Sequence, residues 1–126
     1  MSQDRPFTQV ILSEEQLREG LAADVDHVHI PSEAIATTEL RAADLSEMLG
    51  ISFQESFDEL DEGSFAVLRF DTGFMVTLKD YRSSPVKGAK ICTDPAGRYS
   101  RRRLEDIMSG LGIPWGRLTW ITLGLK

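Results

Sequence analysis

Residues 64–81, SFAVLRFDTGFMVTLKDY, decide the fold class. SFAVLRF and FMVTLKDY alternate apolar and polar side chains with the period of two that a strand imposes. Asp71-Thr72-Gly73 stands between them, and a short Asp/Gly joint between two alternating runs predicts a β-hairpin. Downstream, VKGAKICT (86–93) reads as a third strand. Asp94-Pro95-Ala96-Gly97 then has the order a type I turn prefers. Ser100 suits a helix N-cap, and Leu104, Ile107, Met108 and Leu111 follow at i, i+3, i+4, i+7 spacing until Gly112 and Pro114 end the helix. RLTWITL (117–123) closes the pattern as a strand.

Upstream of the hairpin, FTQVIL suits a first strand, and Ser13 offers an N-cap for a helix carrying Leu17 and Leu21 on one face. HVHI (27–30) reads as a short strand stopped by Pro31. Ser32 is then the expected N-cap of a helix running to Leu49, with Ile35, Ala42, Leu45 and Leu49 as its apolar positions. A shorter helix or turn is expected over 52–60. Together these elements predict an α+β domain: a small, mostly antiparallel sheet of three to four strands packed against two to four helices. At 126 residues the chain fits one domain, 1–126, able to bury a core without disulfides or metal.

The formal charge of −6 hides a polarity along the chain. Residues 13–63 hold 14 acids against only Arg18 and Arg41, whereas residues 64–126 hold 5 acids against 11 lysines and arginines. Such asymmetry governs association and choice of partner rather than fold. The lone Cys92, in KICTD, reads as a buried thiol with no base to activate it. MSQDRPFTQVIL has no basic region followed by an apolar block, so no secretory signal is expected and a cytoplasmic location is.

Three stretches resemble sites of known chemistry, and each departs from its pattern. LRAADLSEMLGISFQESFDELDEG (40–63) resembles a helix-turn-helix DNA reader at Ser46, Gly50 and Ile51. Its second helix would bury Ser56 and Glu59, however, while the apolar residues are Phe57 and Leu60. Glu55, Asp58, Glu59, Asp61 and Glu62 would also repel phosphates. FDTGF (70–74) contains the Asp-Thr-Gly triplet and so resembles aspartic proteases of the retroviral type. Phe74 stands where that family has a small residue, and only 53 residues remain after Gly73. His27, His29 and Glu33 have the spacing of the first cupin metal motif, yet the chain has no third histidine.

YSRRRLED (99–106) is the remaining unusual stretch. With Ser100 as N-cap, three arginines occupy a first helical turn, where the helix dipole disfavours cations. Free backbone N–H groups and guanidiniums would suit an anion, whereas Arg101–Glu105 and Arg102–Asp106 could simply be i, i+4 pairs. Trp115 and Trp120 read as core or rim packing.

These observations favour a non-catalytic, acidic protein-binding domain of the inhibitor or immunity/antitoxin kind. It would attract a basic protein through Asp44, Glu47, Glu55, Asp58, Glu59, Asp61 and Glu62. The alternative is a nucleic-acid or phosphate binder using Ser100, Arg101, Arg102 and Arg103. Self-association of acidic on basic halves is a third expectation. No metal, cofactor or membrane contact is expected.

Overall fold

The computed structural model of the chain describes residues 6–13, 15, 24–25, 28–31, 33–55, 63–81, 88–94 and 100–122. Its centre is the hairpin of strands β6 (Gly63–Phe70) and β7 (Met75–Tyr81), in register from Gly63↔Tyr81 to Arg69↔Met75. Gly73, at φ +106, makes the turn, and the Gly73 and Phe70 N–H groups donate to Phe70 and Phe74 carbonyls. Phe70 stacks on Phe74 at 4.7 Å and meets Phe7 at 5.7 Å, closing this end of the sheet with three aromatic rings.

Around the hairpin lie β1 (Phe7–Val10), β4 (Ala34–Thr38), β5 (Gln54–Glu55), β8 (Lys90–Thr93) and β9 (Leu118–Ile121). They form one sheet of seven strands in the order β1-β6-β7-β8-β4-β9, and β5 shares with β1 the outer edge of β6. Every pairing is antiparallel. A separate two-stranded ladder joins β2 (Asp24–Val25) to β3 (Val28–His29). Two α-helices, α1 (Ala42–Leu49) and α2 (Arg101–Leu111), and a short 3-10 helix (Trp115–Arg117) lie among the described residues.

The expectation of three to four strands under two to four helices is therefore overturned: the fold is sheet-rich. The largest error lies at 34–38. The sequence pattern places Ile35 in a helix starting at Ser32, but Ala34–Thr38 is an interior strand between β8 and β9. Thr37 and Thr38 are β-branched and stiff at χ1, which favours this extended state. A register shift at Ala34/Ala36 lets both Ile35 and Ala36 join the same core, which removes the period of two that would mark a strand. Residues 54 and 55 are likewise strand where a helix or turn was expected. The helix expected at Leu17 and Leu21, and the DPAG turn beyond Asp94, lie outside the described residues.

Both helices cover one face. Leu45 and Leu49 of α1 and Leu104, Ile107, Met108 and Leu111 of α2 pack with Ala66, Leu68, Val76, Leu78 and Ile91. Full burial of one such side chain stabilises the fold by about 1.5–3 kcal/mol. The opposite face carries a smaller cluster of Phe65, Val67 and Met75 under Leu12 and Ile30. The central strands are thus buried on both faces, which explains the unbroken FAVL run.

The start of α1 is set from across the sheet. The buried Asp80 carboxylate of β7 accepts the Ala42 N–H at 2.8 Å and the Arg41 Nε–H at 3.0 Å. Asp44, in the first turn, accepts the Arg41 N–H at 2.9 Å. Carboxylates at this helix end complement the dipole as well as the unpaired donors.

Candidate functional site

Helices α1 and α2 end beside one another. Gly50 (φ +67) terminates α1 and Gly112 (φ +70) terminates α2, each in the left-handed conformation glycine adopts without strain. Their N–H groups return to the Ser46 and Met108 carbonyls, both at 2.9 Å. An open groove of about 710 Å³ lies between the two ends, bordered by Phe7, Glu47, Met48, Gly50, Gly110 and Gly112. Gly110 lets α2 lie close on the hairpin end: a Cβ there would stand 2.6 Å from the Phe70 ring and 3.1 Å from Pro6.

The electrostatics of the groove are one-sided. A helix C-terminus carries roughly half a negative charge on carbonyls without intrahelical donors. Neither last turn contains a basic residue, and Glu47 adds a carboxylate at the rim. Met48, 46% exposed beside it, offers a polarisable apolar contact. The arrangement is suited to a cationic side chain with an aliphatic stem.

Of the acids singled out in the sequence, Asp44 and Glu47 are exposed on α1, three residues apart and so on neighbouring turns of one face. Glu55 is exposed on β5. Asp58, Glu59, Asp61 and Glu62 lie outside the described residues. Sequence reading missed the groove itself, because its walls come from residues 7, 47–50 and 109–112. The two terminal glycines were the available signal.

The arginine turn is differently placed. Ser100 Oγ accepts the Arg103 N–H at 3.1 Å, so it is the N-cap. Arg101 pairs with Glu105 at 3.5 Å and lies 4.4 Å over the Trp115 ring. Arg102 pairs with Asp106 at 3.2 Å. Arg103 donates to both Asp94 oxygens at 3.1 Å and to the Thr93 hydroxyl at 3.3 Å, and stacks on Phe74 at 4.1 Å. It clamps α2 to β8 and to the hairpin end. Each guanidinium already has a carboxylate.

Asp71-Thr72-Gly73 forms the hairpin turn, and the Asp71 N–H donates to the Pro6 carbonyl at 2.8 Å. His27 lies outside the described residues, and Glu33 is exposed. Among the described residues no three His, Cys, Asp or Glu side chains are grouped to hold a metal. Cys92 is fully buried on β8, and that burial pushes its thiol pKa up to about 11 despite the opposing charges of Lys79 and Lys90. The thiol is protonated at neutral pH. Thr77, its cross-strand neighbour, has a buried hydroxyl with no hydrogen-bond partner among the described residues.

No helix among the described residues is long and apolar enough to cross a membrane. No protein-family model, no curated protein and no solved structure matches this chain.

Proposed function

We propose that this chain is a small, non-catalytic binding domain that captures a basic protein, in the manner of an inhibitor, immunity protein or antitoxin. The observation that carries this reading is the groove where two helix C-termini, lacking basic residues in their last turns, converge beside Glu47 and Met48. A lysine or arginine of the partner would donate hydrogen bonds to the terminal carbonyls while its stem covers Met48. The acid-rich segment 13–63 steers such a partner over a longer range. A cytoplasmic setting belongs to the same proposal, on the ground that the single cysteine is buried and unpaired. The anion-binding alternative at Ser100 and Arg101–Arg103 has less support, because an anion would compete with Glu105, Asp106 and Asp94.

Charge reversal tests the proposal. Glu47→Lys spares Asp44, which serves the start of α1. It should lower salt-sensitive capture of a basic protein from the source lysate about tenfold or more. Reversal of Glu55, Asp58, Glu59, Asp61 and Glu62 should lower it again, and Arg102→Glu should not. Undiminished capture by Glu47→Lys, or elution of nucleic acid alone, overturns the groove as the docking site.

A further inference from the structure

The groove between the helix ends continues past Gly112. A second, shallower depression of about 280 Å³ begins there, bordered by Glu105, Met108, Ile113, Pro114 and Trp115. Ser109 and Gly112 border both depressions, so the two form one trough across the last turn of α2. The backbone at this junction presents acceptors. The Gly112 N–H donates to the Met108 and Ser109 carbonyls, and the Ile113 N–H returns to Met108 at 3.2 Å. Neither is directed to the Gly110 or Leu111 carbonyl, and Pro114, four residues after Gly110, has no N–H to offer.

The two halves of the trough differ in chemistry. The first half has Glu47 and the negative ends of both helices, which attract a cation. The second is walled by Ile113, Pro114 and Trp115, and the Arg101 guanidinium already lies 4.4 Å over the Trp115 ring. A further cation there would meet the charge of Arg101, which Glu105 at 3.5 Å offsets only across an exposed pair. These walls favour an apolar side chain.

We propose that the trough receives an extended segment of the basic partner, with an arginine between the helix ends and an apolar side chain against Pro114 and Trp115. The proposal rests on the reading of the groove as a docking site for a basic protein and adds to it a second, apolar contact. A guanidinium suits the first position better than an ammonium, because its forked N–H donors can serve carbonyls of both helices. Side chains two residues apart in an extended segment point the same way and stand about 6.5 Å apart. That reach spans the turn from Ser109 to Gly112, about 4.5 Å of helix, which both depressions share.

Titration of the full chain with short blocked peptides, followed through the Trp115 indole N–H in nitrogen-15 spectra, tests the proposal. The probe Leu-Gly-Arg-Gly-Leu offers a leucine two residues from its arginine in either chain direction, and Gly-Gly-Arg-Gly-Gly offers none. The leucine peptide should shift the Trp115 signal and bind about fivefold tighter or more, an advantage that persists at high salt. Trp115→Ala, which alters a ring 37% exposed, should erase that advantage and leave binding of the glycine peptide unchanged. Equal affinity of the two peptides overturns the second contact, as does an advantage retained in Trp115→Ala. In either case binding that Glu47→Lys weakens would leave the groove itself standing. No binding of either peptide, or binding indifferent to Glu47→Lys, overturns the groove and this proposal with it.

Discussion

The two edges of the sheet are finished in opposite ways. At the β1/β5 edge the chain closes on itself through two glutamines. The Gln54 amide accepts the Leu12 N–H at 3.0 Å and donates to the Leu12 carbonyl at 3.1 Å. The Gln9 amide accepts the Ser52 N–H at 3.0 Å and donates to the Ser52 carbonyl. Each side chain thus acts as an extra peptide group: Gln54 ties β5 to the residues after β1, and Gln9 ties β1 to the residues before β5. At the β9 edge no side chain among the described residues plays that part, and two tryptophans stand exposed instead. An edge satisfied within the chain contributes to the monomer's stability. An edge without such bonds among the described residues contributes less to it. Substitutions should therefore separate the two.

The largest effect is expected between the edges, where both depend on the interior strands. Gly88 has φ +111, and a Cβ there would lie 1.8 Å from the Thr38 carbonyl oxygen. Gly88→Ala should force β4 from β8 and cost more than about 4 kcal/mol, enough to abolish cooperative thermal unfolding. Both edges would be lost together. A folded Gly88→Ala protein would show that β4 is not held as closely as the backbone indicates.

The same interior row responds to pH. The Cys92 thiol, raised to about 11 in the fold, ionises near 8.5 when the chain is unfolded. Its contribution is complete below the unfolded value and is lost as pH rises through the folded one. Stability should fall by about 2–3 kcal/mol more between pH 8 and 11 in the native sequence than in Cys92→Ala. Equal slopes in urea melts of the two proteins would remove Cys92 as the cause. The β9 edge, which has no group titrating in that window between Leu118 and Ile121, should not share this dependence.

How much of this could be read from the sequence follows from how local each feature is. The 64–81 hairpin and the α2 cap at Ser100 depend on neighbouring residues, and both are where the pattern put them. The strand β4 was concealed because its bulge places Ile35 and Ala36 in one core, so its apolar pattern lost the period of two. The N-cap role of Asp80, 38 residues beyond Ala42, has no local signature at all. In the sequence Arg103 reads as an anion ligand, and its partners Asp94 and Phe74 become evident only when the hairpin end is folded against α2. Among the candidate acids, Glu47 gains weight from a neighbouring helix end that lies over 60 residues away in sequence.

The smallest expected effect separates the edges most directly. Gln54→Ala leaves the Leu12 peptide, which is part-buried, without either of its side-chain partners. It should destabilise the monomer by about 1–2 kcal/mol, and Gln9→Ala, with more exposed bonds, by about 1 kcal/mol or less. Because both amides fix the same pair of segments, the second loss should cost less than the first. A double-mutant cycle should return a coupling of about 0.5–1 kcal/mol. Trp120→Lys, measured on the monomer in the same denaturant titration, should stay within about 0.5 kcal/mol of the native sequence. If Trp120→Lys destabilised the monomer as much as Gln54→Ala, the β9 edge would be satisfied within the chain as well. The contrast between an edge closed by its own glutamines and an edge without such closure would then fail at its root.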